Sequence, residues 1–266
     1  MKRSIIKIRN MSFKYNNKKI FENINLDIYE GTFTVIVGQN GSGKTTFAKL
    51  LSGILKGEGY INIDGYLLND FFIDKIRRNF SVCLNDDFYF DTIRDSLAFP
   101  LESLQYNKNE INNTVNKMAK KFRIENILNK SFEEITLSQK AKVIIASALI
   151  HNPRIILLDN TFSALSIIDK KLVKKILKEY QKEYNLAIIL LTSTLEETLE
   201  ADKIIVLNNG QIAIEGTPKE IYKDDYLEKL NFDLPFIVKL SNNLILYNLL
   251  DKVYLQDKEV IDKLWP

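Results

Sequence analysis

Gly38-Gln39-Asn40-Gly41-Ser42-Gly43-Lys44-Thr45 satisfies G-x-x-x-x-G-K-[ST] at every fixed position. Glycines at this spacing let successive backbone N–H groups turn inward around an anion. The lysine reaches the outer phosphates, and the hydroxyl after it can ligate Mg²⁺. Such a loop carries meaning only between a strand and a helix. Thr32 to Val37 is a β-branched run that ends at the loop, and Thr46 to Leu55 has apolar residues at helical spacing. The N-terminus of that helix would face the same anion. This context predicts an α/β nucleotide-binding domain in which Gly38, Asn40, Gly41, Ser42, Gly43, Lys44, Thr45 and Thr46 hold ATP, with Thr45 also on the metal.

Upstream, Ile5 to Phe13 and Ile20 to Ile28 alternate roughly between apolar and polar about Asn16-Asn17, which predicts antiparallel strands. Downstream, Gly59 to Leu68 reads as a hairpin around Asp64-Gly65, and Ile73 to about Ile127 reads as mostly helical. A helix containing Ile144 to Ile150 stops near Asn152-Pro153. Ile155 to Leu158 and Ala187 to Leu191 are short apolar runs with the length of buried strands, separated by an amphipathic helix from Lys170 to Tyr184. Ile204 to Leu207 and Gln211 to Ile214 flank Asn209-Gly210, a hairpin signal. The division expected is a domain over 1–216, with a helical subdomain at about 73–150, followed by a helical tail over 217–266.

Composition narrows the partners. The 37 basic residues against 34 acidic leave a charge of only +3, too even to suggest nucleic acid or an anionic lipid surface as the main partner. One cysteine, Cys83, excludes an internal disulfide and fits a reducing compartment. No run approaches 18 uncharged apolar residues, and Met1 to Lys7 lacks a signal-peptide core. A soluble chain is expected, held at any membrane by other subunits.

Several further segments resemble the ATP-binding-cassette family. Asn10-Met11-Ser12-Phe13-Lys14-Tyr15 looks like its opening strand, where an aromatic residue, here Tyr15, stacks on adenine. Ile155-Ile156-Leu157-Leu158-Asp159 resembles its second nucleotide motif, which ends in an Mg²⁺-linked aspartate. Thr92 to Glu102, Gly216 to Tyr222, Leu230 to Phe236 and Asp257 to Trp265 are similar to the ATPase subunits of energy-coupling-factor transporters, importers of vitamins and transition-metal ions. The terminal Trp265 leans toward the first of two paralogous ATPase subunits. This resemblance implies an ABC-type fold: a mixed core sheet, an N-terminal antiparallel β subdomain and an inserted helical subdomain. It implies a head-to-tail pairing with a second ATPase subunit, so that each nucleotide lies between one subunit's phosphate loop and the other's signature. It also implies a membrane scaffold that docks through a coupling helix, a substrate-binding membrane protein beside it, and a place on the cytoplasmic face of the membrane.

The departures from the family pattern concern the chemistry. The signature Leu-Ser-Gly-Gly-Gln falls on Ile135-Thr136-Leu137-Ser138-Gln139; Thr136 keeps a hydroxyl, but Leu137 cannot give the close backbone approach of glycine. The glutamate that polarises water falls on Asn160, whose amide can orient water but cannot take its proton. The switch histidine falls on Ser193, the metal-linking glutamine on Asn85 and the crossing-loop aspartate on Ser166. Groups of this kind contribute about 10²-fold or more each in phosphoryl transfer. The residues therefore predict a chain that binds MgATP and hydrolyses it weakly or not at all. A nucleotide-sensing structural or regulatory module is the other reading, favoured by Leu137. A soluble cassette ATPase of DNA repair or translation is a third reading but is not expected, because the coiled-coil insertions, tandem cassettes or basic extensions typical of those are not seen in this sequence.

Among the remaining polar residues, His151 reads as a capping or surface group and Glu196 and Glu197 as solvated. Asp86 and Asp87 read either as Mg²⁺ or coupling-helix contacts or as loop surface.

Overall fold

The computed structural model describes residues 3–84 and 90–265 of the 266. Strand β1 (Ser4–Tyr15) returns through Asn16-Asn17 as β2 (Lys18–Tyr29), with Phe13 opposite Phe21 and Tyr15 opposite Lys18. β3 (Phe33–Gly38) delivers the chain to the phosphate loop, and α1 (Lys44–Leu51) leaves it. A hairpin of β4 (Glu58–Ile63) and β5 (Tyr66–Leu67) extends the first sheet into the order β2-β1-β4-β5.

Then come α2 (Ile73–Arg77), β6 (Phe80–Cys83), α3 (Ile93–Ser103), α4 (Lys108–Phe122) and α5 (Leu137–Leu149). Within the stretch from Ile73 to about Ile127, read as mostly helical, the structure adds one short strand, β6, which lies parallel to β7 (Ile155–Asp159) with Phe80 opposite Ile155. Four residues on the sheet's outer position are too few to display a period of two. After β7 come α6 (Ile167–Tyr184), β8 (Ala187–Thr192), β9 (Lys203–Asn208) and β10 (Gln211–Gly216). The second sheet runs β10-β9-β3-β8-β7-β6, all parallel except β10.

Because β7 and β8 are covered on both faces, every residue in them is buried, which explains their unbroken apolar runs. Alternation divides them between two cores. Ile155 and Leu157 pack toward α1 and the first sheet with Phe47, Leu50 and Ile8, while Ile156 and Leu158 face Val143, Ile145 and Val173 of α5 and α6. Asp159 continues the first set and so points to the α1 side.

Asp64 ties the β4–β5 hairpin to the second sheet. Its carboxylate accepts from Arg154 at 2.6 Å, Arg3 at 3.2 Å and Asn79 at 3.1 Å. Left-handed backbone is assigned mainly to asparagine. Nine of the twelve described non-glycine residues with positive φ are Asn, whose short amide makes that region cheaper than for longer side chains.

The tail forms α7 (Pro218–Ile221), α8 (Tyr226–Lys229), α9 (Phe236–Leu246) and α10 (Asp257–Leu264). It shares the core on the α5–α6 side through Leu227, Phe232, Leu234, Val238 and Val260. No helix among the described residues is long and apolar enough to cross a membrane.

Candidate functional site

The phosphate loop lies between the end of β3 and the start of α1, so it inherits the rigidity of a buried strand. Its conformation depends on two left-handed glycines. Gly41 has φ +82° with open space around it, and Gly43, with φ +99°, is the N-cap of α1. A Cβ on Gly43 would stand 2.8 Å from the Phe21 ring, so β2 forms the wall behind the loop. The Ser42 hydroxyl is buried without a hydrogen-bond partner, and the first amides of α1 lack intrahelical acceptors as in any helix. An open glycine at 41, an orphan hydroxyl and a helix N-terminus suit phosphate oxygens.

Lys44 reaches back over the loop and donates from Nζ to the carbonyls of Gly38 at 2.7 Å and Gln39 at 3.0 Å. Burial lowers its pKa, and the attraction of Asp159 opposes that shift. Asp159 is only 4% exposed, at the end of β7. With Asn40, Gly41, Gly43, Thr45, Thr46, Asn160, Ser193 and Ile20 these two residues line one cleft of about 290 Å³. Residues predicted from 40 to 193 therefore meet in one place, and a hydroxyl from Thr45 with a carboxylate from Asp159 is an oxygen donor set suited to Mg²⁺.

Tyr15 is not among the residues lining the cleft. It stands 44% exposed at the end of β1, with its ring edge-on to Phe13 at 4.8 Å. Asn85, Asp86 and Asp87 lie outside the described residues.

Asn160 and Ser193, which the resemblance to the family marks as departures, both line the cleft. Asn160 is left-handed, with φ 51° and ψ 20°. Its N–H donates to Leu191 at 2.8 Å, and its carbonyl accepts from the Ser163 hydroxyl at 2.7 Å. Ser193 is exposed just past β8, where Thr194 N–H donates to the Thr192 hydroxyl at 3.1 Å and fixes the turn.

The signature segment stands apart from the cleft, at the start of α5. Thr136 is the N-cap of that helix, paired reciprocally with Gln139 in a capping box. Leu137 follows at 71% exposure. Ser138 donates to Asp169 at 2.6 Å and accepts from the Ser166 N–H at 2.9 Å, while Lys142 pairs with the other carboxylate oxygen at 3.0 Å. Burial raises the Asp169 pKa, but the bonds from Ser138, Lys142 and Ser166 outweigh it, so the net shift is downward. This junction, which ties the start of α5 to the start of α6, is not legible in the sequence. Its one local sign is the Ser-x-x-Asp capping pattern of Ser166 and Asp169.

Two readings of polar residues need correction. Glu197 is not solvated: it is 3% exposed on a short 3-10 turn and pairs with Lys170 at 2.6 Å, although Glu196 beside it is exposed. His151 is not a surface cap either. Its Nε2 lies 3.3 Å from the Ser81 hydroxyl of β6, and burial lowers its pKa.

Comparisons with known proteins identify the family. Residues 21–163 match the model of the ABC transporter family. The energy-coupling factor transporter ATP-binding protein EcfA1 of Mycoplasmoides gallisepticum is 36% identical over 249 residues, 91% of this chain and 89% of that protein. Its counterpart EcfA of Pediococcus pentosaceus is 33% identical over 91% of this chain and 89% of its own length. Among solved structures, cbiO1 of Clostridium perfringens, part of the ABC transporter complex cbiONQ, superposes with TM-score 0.75 at 27% identity, over 90% of this chain and 99% of its own. A dimeric ATP-binding cassette bound to ADP and Pi gives TM-score 0.73 at 26% identity, over 80% and 98%. The chain belongs to the ABC transporter ATP-binding family, in the group of energy-coupling factor transporter ATP-binding proteins.

Proposed function

We propose that this chain is the ATP-binding subunit of an energy-coupling-factor importer for a vitamin or transition-metal ion, and that it binds MgATP with weak or no hydrolysis of its own. The observation that carries this reading is the composition of the cleft. Lys44, Thr45 and Asp159 converge there, and beside them lie Asn160 and Ser193, which the resemblance aligns with the hydrolytic positions. The loop amides and Lys44 would hold the phosphates, Thr45 and Asp159 (with Asn85) the metal, and Tyr15 the base. Mg²⁺, when bound, neutralises charge on the β- and γ-phosphate oxygens. Asn160 can orient a water by its amide but leaves the proton without an acceptor.

In this reading the chain works in a heterodimer with a second, more intact cassette subunit. The pair rests on the cytoplasmic face of the membrane against a scaffold and a substrate-binding component. Leu137, exposed at a signature position, favours a second reading in which ATP holds a complex together and drives no transport cycle.

The test is titration of the purified chain with a fluorescent ATP analogue and Mg²⁺, alongside a phosphate-release assay. Saturable binding that Lys44→Ala weakens at least ten-fold, with no phosphate release above that variant, is expected. Robust turnover by the isolated chain that Lys44→Ala abolishes would overturn the weak-hydrolysis reading. Co-purification with membrane components separates the transporter from the regulatory module.

A further inference from the structure

The loop residue between Gly38 and Asn40 takes part in no contact that the motif requires, yet it is bonded at both ends. The Gln39 carbonyl accepts from Lys44 Nζ at 3.0 Å and from the Ser42 N–H at 3.1 Å. Its side-chain amide reaches 191 residues along the chain, donating to the Leu230 carbonyl at 2.8 Å and, more weakly, to that of Asn231 at 3.3 Å.

The receiving segment is built for this. Helix α8 ends in a two-bond reverse turn, with Asn231 N–H on the Glu228 carbonyl at 2.8 Å and Phe232 N–H on the Leu227 carbonyl at 3.0 Å. Asn231 takes the left-handed position at φ 59° that this turn needs. Phe232 and Leu227, at the two ends of the turn, are both buried. The turn satisfies the carbonyls of Leu227 and Glu228 and projects those of Leu230 and Asn231 outward, where Gln39 caps them. Leu234 then enters the core and the chain continues into α9.

We propose that Gln39 is a positioning residue for nucleotide binding, which braces the phosphate loop against the tail. The inference rests on the MgATP reading of the cleft. With the brace in place the loop already has the shape an anion needs: Gly41 open, the Ser42 hydroxyl unsatisfied, Lys44 poised over the Gly38 and Gln39 carbonyls. The brace therefore favours the binding-competent loop, and its loss lowers apparent affinity by the fraction of chains in which the loop wanders. Linkage makes the effect reciprocal: a nucleotide that stabilises the braced loop also holds residues 226–235 in place. Through this one amide, occupancy of the phosphate site is felt in the C-terminal tail.

The experiment is amide hydrogen exchange over 226–235 in the full chain, with and without ATP and Mg²⁺, combined with nucleotide titration of wild type and Gln39→Met. Methionine keeps the length and removes the donor, and the side chain is at the surface. ATP is expected to slow exchange in 226–235 of the wild type. Gln39→Met is expected to bind ATP about two- to ten-fold more weakly, the size of one neutral hydrogen bond, and to lose the protection in the tail. A tail whose exchange ignores ATP in a wild type that binds it overturns the inference alone. Equal affinity of wild type and Gln39→Met, with protection retained, does the same. A wild type that binds no ATP overturns the nucleotide reading and this inference with it.

Discussion

Replacing Asn160 with glutamate introduces the carboxylate that the family resemblance leads one to expect there, but places it on a backbone suited to asparagine. The φ of 51° and ψ of 20° are left-handed. The peptide cannot relax away from them, because its N–H is held by Leu191 at 2.8 Å and its carbonyl by the Ser163 hydroxyl at 2.7 Å. An L-residue in this region is destabilised by about 1–2 kcal/mol, and asparagine escapes part of that through its short polar side chain. Asn160→Glu is therefore expected to destabilise the fold by about 1 kcal/mol. In a chain of this size that lowers Tm by roughly 2–4 °C. Asn160→Asp and Asn160→Gly, both tolerant of positive φ, should stay within a few tenths of a kcal/mol of wild type. Thermal or urea unfolding of the four proteins measures the difference. In a parallel phosphate-release assay the isolated Asn160→Glu chain is expected to remain at the Lys44→Ala background, because Ser193 and Leu137 are unchanged. A glutamate variant as stable as the aspartate and glycine variants refutes the backbone argument. One that also turns ATP over refutes the proposal that Ser193 and Leu137 keep hydrolysis weak.

Gly43→Ala combines φ +99° with a Cβ 2.8 Å from the Phe21 ring, so it should cost about 2–3 kcal/mol and abolish nucleotide binding; Gly41→Ala meets open space and should cost about 1 kcal/mol. Unfolding curves and ATP titration of both check the contrast. His151 is held below its ordinary pKa by burial, so on acidification the unfolded chain takes up its proton first. Stability should fall as pH drops below about 6.5, and His151→Gln should flatten that part of the Tm profile between pH 7.5 and 5.5. An unchanged slope would assign the loss to other groups. Glu197→Ala deprives Lys170 of its partner at 2.6 Å, and because that lysine is partly exposed the expected loss is only about 2 kcal/mol by urea denaturation.

The parts of this molecule legible in its sequence are those whose physics is local. The run from Thr32 through Thr46 announces strand, anion loop and helix because each needs its own residue types at its own spacing. Asp159 could be placed at the end of a buried strand for the same reason. What sequence left hidden depends on partners far along the chain. Glu197 reads as solvated until α6 brings Lys170 beside it, 27 residues away. Gln39 gives no local sign that its amide will meet Leu230. β6 is four residues long and borders the sheet, so neither periodicity nor length separates it from its surroundings. The left-handed backbone of Asn160 was not legible either, although among the described residues asparagine is the one most often found in that conformation.

The division of β7 between two cores also limits what lengths the chain can tolerate. Ile155, Leu157 and Asp159 share a face only because side chains alternate strictly. Inserting or deleting a single residue between Ile155 and Asp159 would turn the carboxylate into the packed layer beneath α5 and α6 and present an aliphatic side chain to the phosphates. Two residues would restore the facing but push the carboxylate about 7 Å past the loop, or stop it as far short. The placement of the Asp159 carboxylate is thus set by the count of residues along this strand.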